Sequence, residues 1–168
     1  PGIDNFLKLE LLDLAALETA LDFKLGPRNL LVTFHPVTLE NNTSESQMEE
    51  LMKALEDLKD THLIFTMPNA DTYGRVLFEQ IKAFTGRHFN ACVFTSLGQV
   101  RYLSCIRQVD GVVGNSSSGL TEVPSFKKGT INIGDRQRGR LKAGSVIDCE
   151  PKRESIRQAL KQLYSPGF

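Results

Sequence analysis

The sequence lacks an excess of charge, a long apolar run and a regular pattern of cysteines. Its 20 basic residues balance 20 acidic ones over 168 positions. A chain without a net positive field is poorly suited to hold a phosphate backbone, so we expect no nucleic-acid partner. No apolar run approaches the roughly 18 residues that a membrane-spanning helix needs, and we expect no membrane partner. The first residues, Pro1-Gly2-Ile3-Asp4, show no signal-peptide pattern.

Cysteine and histidine are scarce, with three of each. The cysteines are Cys92, Cys105 and Cys149. An odd number at wide spacing predicts neither a disulfide framework nor a CxxC metal site. The histidines are too scattered to form a metal site. We therefore expect reduced thiols, a cytoplasmic location, and neither a metal nor a cofactor.

The remaining composition is that of one ordinary globular domain, with 40% hydrophobic and 24% charged residues. Short apolar or β-branched runs predict strands at 29–35, 62–67, 91–95, 111–114, 129–134 and, at an edge, 145–148. Helical spacing of apolar residues predicts helices at 43–58, 73–86, 100–106 and 152–164. This alternation predicts an α/β fold with a parallel sheet flanked by helices.

The first 28 residues differ, because no strand precedes their leucines. Leu14, Leu17, Leu21 and Leu25 predict one amphipathic helix. We interpret residues 1–28 as a hinge or linker that arrives from an N-terminal domain outside this sequence, and 29–168 as the folded domain.

Parallel sheets of this class bind ligands at the carboxyl ends of their strands. The polar residues that follow each predicted strand should therefore share one edge. They are His35, Asn69, Ser96, Asn115 to Ser118, and Asp135-Arg136.

The strongest local motif is Gly114-Asn-Ser-Ser-Ser-Gly119, between a strand and a predicted helix. Small residues and a helix start would let backbone N–H groups and the hydroxyls of Ser116, Ser117 and Ser118 cradle a phosphate. The motif lacks the GKS or GKT ending of a P-loop, and a serine-rich helix cap without a ligand fits it equally well. Glu122, one turn on, either stabilises the helix start or accepts hydrogen bonds from a ribose diol.

Three further positions are candidates with a simpler structural alternative. Arg136 follows a strand and could hold a phosphate or carbonyl in a bidentate manner, although it belongs to a basic segment that solvated loops also show. His35, before Pro36, could contact an anion or relay a proton, but a lone histidine is more often structural. Asn69 could contact a ligand, although the sequence Pro-Asn-Ala-Asp around it is more typical of a turn.

Four motifs together resemble the UDP-N-acetylglucosamine 2-epimerase family, most closely the hydrolysing branch of bacterial sialic-acid biosynthesis. They are His35-Pro-Val-Thr38, Pro68-Asn-Ala-Asp71, Gly114-Asn-Ser-Ser-Ser-Gly119 with Glu122-Val123, and Gly129-Thr-Ile-Asn-Ile-Gly-Asp-Arg-Gln-Arg-Gly-Arg140. The resemblance implies the C-terminal, UDP-binding half of a two-domain enzyme of glycosyltransferase-B type, with Rossmann-like domains. The non-hydrolysing branch usually has His-Arg where this chain has His35-Pro36, which favours the hydrolysing branch.

The resemblance also implies roles for individual residues. Ser116 and Ser117 would hold the diphosphate, with Ser118 beside them, and Glu122 would hold the ribose. Asn69 and Arg136 would help to fix the nucleotide. Tyr102 would lie beside the uracil, with the backbone of Leu97 at its edge, and His35 would act near the diphosphate and the sugar as the catalytic residue of this half.

The implied reaction releases UDP by elimination, and water then adds to give N-acetylmannosamine with inversion at C2. The acid and base carboxylates would belong to the other domain of the same polypeptide, so we expect this chain alone to be inactive and the full-length enzyme to be a homo-oligomer. The alternatives are a non-hydrolysing epimerase, a diacetamido-sugar hydrolysing epimerase, a glycosyltransferase donor domain, or a non-catalytic phosphate-binding module.

Overall fold

The computed structural model describes residues 11–33, 41–58, 60–66, 74–94, 98–114, 129–133 and 146–164. Its strands are β1 (Arg28–Thr33), β2 (Thr61–Thr66), β3 (Ala91–Phe94), β4 (Gly111–Gly114), β5 (Gly129–Ile133) and β6 (Val146–Cys149). Its helices are α1 (Leu14–Leu21), α2 (Asn41–Glu56), α3 (Gly74–Arg87), α4 (Gly98–Gln108) and α5 (Arg153–Leu163). Within these ranges, no helix combines the length and the hydrophobicity that crossing a bilayer requires.

All six strands pair in parallel, in the order β3-β2-β1-β4-β5-β6. Each predicted strand is found within two residues of its expected ends, and β6 lies at an edge as expected. Parallel strands need crossover connections, and α2, α3 and α4 supply those that lead from β1 to β4. The predicted α/β fold, a parallel sheet flanked by helices, is therefore confirmed.

The sheet has two buried faces, each with its own apolar core. In β1, Leu30 and Val32 point to one face and Leu31 to the other, because side chains alternate along a strand. The α2 face is packed by α2, α3 and α5, and includes an edge-to-face contact between Phe65 and Phe84 at 5.5 Å. The α4 face is packed by α1 and α4. Burial on both faces explains why the strands read as continuous apolar runs.

Helix α1 is shorter than the leucine spacing predicts, because it ends at Leu21 rather than at Leu25. Asp22 adopts a left-handed conformation with φ 52°. The N–H groups of Asp22 and Phe23 donate to the carbonyls of Thr19 and Glu18, the pattern of a Schellman end. This bonding turns the chain away before Leu25, whose N–H donates instead to the Glu18 carboxylate at 2.8 Å.

The segment between α1 and β1 is held closely to the rest of the domain. Asn29 accepts from the Gly26 N–H and donates to the Gly26 carbonyl, and its own N–H donates to Asp110 at 2.7 Å. The His62 ring lies 2.3 Å from the position that a Cβ on Gly26 would occupy, so a larger residue there would displace this ring. The described part of residues 1–28 therefore packs as part of the domain, and a hinge or linker role for the whole stretch stays a prediction.

Candidate functional site

The carboxyl ends of the strands form one edge of the sheet, and six residues lie in register along it. The carboxyl-end row comprises Phe94, Thr66, Thr33, Gly114, Asn132 and Asp148, one from each strand. Alternation places all six on the α4 face of their strands. Phe94 is apolar, and every other member of the row except Gly114 has a polar side chain. The interiors of the strands are almost entirely apolar. A polar row at the end of an apolar sheet is typical of a ligand edge.

The strand order reverses between β1 and β4, which makes the carboxyl ends of these two strands the switch point of the sheet. From β1 the chain proceeds outward to β2 and β3, and from β4 it proceeds in the opposite direction to β5 and β6. The connections on the two sides of this switch point diverge, and ligands of doubly wound sheets bind there. In the sequence, His35 comes two positions after Thr33 of β1, and Ser116 two positions after Gly114 of β4. The topology thus brings together the strands that lead to these two predicted site residues.

At Gly114 the backbones of β4 and β1 approach each other closely at this switch point. Its φ is 149°, and a Cβ added there would lie 1.8 Å from the carbonyl oxygen of Thr33 and 2.6 Å from its carbonyl carbon. No real side chain tolerates such distances, so β1 and β4 can end side by side only because this position is glycine. The first glycine of the predicted phosphate motif therefore has a structural reason that is independent of any ligand.

Two buried polar side chains lie on either side of Gly114 in the carboxyl-end row. Thr33 and Asn132 are each only 3% exposed. The Asn132 amide donates to the Asp148 carboxylate at 2.8 Å. The Thr33 hydroxyl makes no hydrogen bond with any residue of the described ranges. Since burying a hydroxyl without a partner is unfavourable, such groups are worth testing for a role in a site.

Tyr102 is the one predicted site residue that lies within the described ranges. It sits one turn after Gly98, where α4 begins, and the chain reaches α4 from the end of β3 at Phe94. Its ring is half-buried and packs against the α4-face core. Helix α4 therefore holds Tyr102 in a fixed place near the carboxyl edge. Contact between this ring and a base stays a prediction.

The other eight predicted site residues lie outside the described residues. They are His35, Asn69, Leu97, Ser116, Ser117, Ser118, Glu122 and Arg136. What the structure describes is the end of each strand that precedes them, at Thr33, Thr66, Phe94, Gly114 and Ile133. All of these ends belong to one edge of one parallel sheet. The roles assigned to the eight residues stay predictions.

Sequence reasoning overlooked the polar members of the carboxyl-end row, although a signal for some of them was present. In β5, Thr130 and Asn132 alternate with Ile131 and Ile133. Polar residues at every second position of an otherwise apolar strand indicate that one face meets polar groups. No comparable pattern marks Thr33, since only the strand order shows that it lies beside Gly114.

The cysteines take no part in this edge as reactive groups. All three are free thiols, and Cys105 is fully buried. Burial raises the pKa of Cys92, of Cys105 and of Cys149 to about 12. The thiols are therefore protonated at neutral pH and are poor nucleophiles. The described residues also contain no cluster of three side chains able to hold a metal ion.

Comparison with known proteins extends this picture over nearly the whole chain. Residues 1–166 match the family model described as UDP-N-acetylglucosamine 2-epimerase. The chain is 40% identical over 153 residues to the GDP/UDP-N,N'-diacetylbacillosamine 2-epimerase (hydrolyzing) of Campylobacter jejuni, a match that covers 90% of this chain and 39% of the relative. It is also 40% identical over 156 residues to polysialic acid biosynthesis protein P7 of Escherichia coli, covering 92% of this chain and 39% of the relative.

A structural neighbour has the same fold at much lower sequence identity. The UDP-GlcNAc 2-epimerase of Methanocaldococcus jannaschii, solved in complex with UDP-GlcNAc and UDP, aligns with a TM-score of 0.67 at 12% identity. The alignment covers 89% of this chain and 40% of the neighbour. The chain thus spans about two fifths of the length of these relatives.

Proposed function

This chain belongs to the UDP-N-acetylglucosamine 2-epimerase family, and we propose that it is the UDP-binding domain of a hydrolysing member. The observation that carries the proposal is the β1–β4 switch point. It brings the strand before His35 beside the strand before the serine-rich motif, at the edge where doubly wound sheets bind nucleotides. The match to the family along residues 1–166 supports a UDP-sugar as the ligand.

In the proposed site, the diphosphate is held at the carboxyl end of β4. Ser116, Ser117 and Ser118 donate hydroxyl and backbone hydrogen bonds to it, and Arg136 adds a guanidinium. The close packing of Gly114 against Thr33 supports this placement, because it fixes the end of β4, from which these serines follow, beside the end of β1. Donors held in place before the reaction stabilise the negative charge that develops on a departing diphosphate.

The nucleoside is proposed to bind on both sides of this diphosphate. Glu122 accepts hydrogen bonds from the two ribose hydroxyls, and Asn69 helps to orient the nucleotide. Tyr102 lies beside the uracil, with the backbone of Leu97 at its edge. The fixed position of Tyr102 on α4 supports this role, since a half-buried ring costs little entropy to order on binding.

The proposed reaction begins with loss of the proton at C2 and cleavage of the bond between C1 and the diphosphate oxygen. UDP leaves, and a 2-acetamidoglucal remains. Water then supplies a hydroxyl to C1 and a proton to C2 from the opposite face, which yields N-acetylmannosamine. In this domain His35 assists departure of the diphosphate, while the residues that move the C2 proton come from the other domain of the polypeptide.

A second candidate substrate is a UDP-linked diacetamido sugar. It is favoured by two relatives named as diacetylbacillosamine 2-epimerases (hydrolyzing), from Campylobacter jejuni and from Legionella pneumophila, at 40% and 26% identity. Both candidates share UDP, so the role proposed for this domain is the same. The sugar contacts of the other domain decide between them, and product analysis of the full-length enzyme with each UDP-sugar distinguishes the two.

Titration of UDP into the ¹⁵N-labelled chain tests the proposed function. We expect saturable amide shifts at the ends of β1 and β4, including Thr33 and Gly114, and in α4 around Tyr102. UMP, ADP and inorganic phosphate serve as controls and should bind more weakly. Equal shifts with every phosphate would indicate a general anion site, and shifts confined to the amino ends of the strands would contradict the proposal.

A further inference from the structure

The segment that enters α1 is hydrogen-bonded to α4 through the backbone of one residue, Leu12. Its N–H donates to the Ser104 hydroxyl at 2.9 Å, and its carbonyl accepts from the Arg107 guanidinium. These partners are 92 and 95 positions away in the sequence. Both backbone polar groups of Leu12 are therefore bonded to side chains that lie three residues apart on α4, on one face of that helix.

Ser104 connects the Leu12 backbone to the first turn of α4 by hydrogen bonds. It is fully buried, and its hydroxyl donates to the Val100 carbonyl at 2.6 Å while it accepts from Leu12. The hydroxyl thus uses its donor and one acceptor position at once. Because a serine that bonds back by four residues competes with the helix for that carbonyl, it influences the local path of the helix. Tyr102 lies between Val100 and Ser104.

Apolar packing joins α1 to α4 along the same line. Leu17 and Leu21 are buried in the α4-face core together with Leu103 and Ile106. Helix α1 therefore packs against α4 through its side chains, and the segment before it is bonded to α4 through the Leu12 backbone. A displacement of α1 cannot leave α4 unchanged without opening this core, which would expose apolar surface to water.

We propose that Ser104 and Arg107 are positioning residues for base recognition: by bonding Leu12, they fix α4 and with it Tyr102. The inference rests on the proposed function, since it assigns the base contact to Tyr102. It makes the position of the chain entering α1 a determinant of uridine affinity. It predicts no change in diphosphate affinity, because the residues proposed to contact the diphosphate follow β4 and β5 in the sequence.

The variants Arg107→Gln and Ser104→Ala test this inference by the ratio of two affinities. UDP affinity should fall about three- to tenfold in each, the effect of losing one hydrogen bond. Affinity for inorganic diphosphate, which has no base, should change less than about twofold. Because Arg107 is exposed, we expect Arg107→Gln to fold, and it tests the inference alone if Ser104→Ala does not fold. An equal loss for both ligands, or no loss for either, would overturn the inference.

Two control variants leave the hydrogen bonds of the Leu12 backbone unchanged. Thr19→Ala removes an exposed hydroxyl of α1 that bonds only within its helix, to the Ala15 carbonyl at 3.0 Å. Arg157→Gln removes a guanidinium from α5, on the other face of the sheet, where it pairs with Glu154 at 3.1 Å. Both should bind UDP and diphosphate as the unaltered chain does. A changed ratio of UDP to diphosphate affinity in either control would mean that distant surface substitutions affect base binding as well. That result would contradict a specific role for Ser104 and Arg107.

Amide hydrogen exchange separates failure of this inference from failure of the proposed function. If the unaltered chain binds no UDP, the proposed function fails, and the exchange rates still show whether the bonds to the Leu12 backbone fix α4. In Arg107→Gln, exchange should quicken at the amides of Tyr102 and Leu103 as well as in α1. Faster exchange confined to α1 would show that α4 holds its place without Leu12, and the inference would then be wrong.

Discussion

At the scale of single residues, the candidate site is shaped most clearly by Gly114. It occupies the middle of the carboxyl-end row, with φ 149° and no room for a Cβ against the Thr33 backbone. Buried Thr33 and Asn132 lie on its two sides in register. A side chain at this position would force β1 and β4 apart at the switch point, where the nucleotide is proposed to bind.

Gly114→Ala should therefore lower both stability and UDP affinity. We expect the free energy of unfolding to fall by about 3 kcal/mol or more, because a strained φ is combined with a collision against backbone. Urea denaturation measures the first effect and calorimetric titration of UDP the second. An unchanged urea midpoint would contradict the described approach of the two strands.

Gly86→Ala is the matched control for that substitution. Gly86 lies in the last turn of α3, and a Cβ added there would meet nothing within 4 Å. Alanine in a helix is favoured over glycine by about 0.5–1 kcal/mol, so this variant should be slightly more stable than the unaltered chain. Its UDP affinity should not change.

At the scale of elements, the attachment of α5 to α2 shows how helices on the α2 face are held. The N–H of Arg153, the first residue of α5, donates to the Glu50 carboxylate at 3.1 Å. Its guanidinium donates to Asp57 at 2.7 Å, just after α2 ends. At the other end of α5, the Arg28 guanidinium lies 4.4 Å from the centroid of the Tyr164 ring. The carboxyl-terminal helix is thus fixed to the sheet and to α2 by polar contacts around an apolar core.

The Asp57–Arg153 pair gives this attachment a defined dependence on pH. The Arg153 hydrogen bond lowers the pKa of Asp57 below its ordinary value of 3.8. A carboxyl whose pKa is lowered by folding adds stability above its unfolded pKa, and this stability is lost as the pH falls through the folded pKa. Asp57→Asn should therefore lower the urea midpoint slightly at pH 7, and the difference from the unaltered chain should shrink below about pH 4.

Glu49→Gln is the control for the pH experiment, because Glu49 is an exposed carboxylate of α2, the helix that ends just before Asp57. Its urea midpoint should follow that of the unaltered chain at every pH. A difference for Asp57→Asn that stays constant from neutral to acid pH would contradict an ionic contribution. The effect would then belong to the packing of the altered side chain.

At the scale of the whole molecule, the sheet brings the ends of the six described strands to one edge, with the switch point between β1 and β4. The chain corresponds to about two fifths of its relatives, which are 40% identical and match it over most of its length. In the proposed reaction this part holds UDP and assists its departure. Removal of the C2 proton needs a base that, in our proposal, belongs to the other domain.

The chain by itself should therefore bind UDP and show no turnover. Incubation with UDP-N-acetylglucosamine or with a UDP-linked diacetamido sugar should release neither UDP nor free sugar, as followed by phosphorus NMR and chromatography. The full-length enzyme, with both domains, is the positive control. Release of N-acetylmannosamine by this chain alone would contradict the assignment of the base to the other domain.

Much of the fold could be predicted from the sequence, because apolar periodicity reflects local geometry. A strand buried on both faces must be apolar at nearly every position, which is why the runs at 62–67 and 111–114 predicted β2 and β4. The end of α1 could not be predicted from spacing alone. Leu25 continues the helical pattern, but the left-handed Asp22 and the bonds to Glu18 end the helix four residues earlier.

The sequence by itself determined the α/β class, the residues that follow each strand and the family to which they point, since these depend on chain order and residue type. Only the tertiary structure decided which strands are neighbours. The pairing of β1 with β4 places Thr33 against Gly114, and the packing of α1 on α4 bonds Leu12 to Ser104 and Arg107. Such contacts join positions some 80 to 95 residues apart, and no local pattern encodes them, because they arise only when the whole sheet closes its two cores.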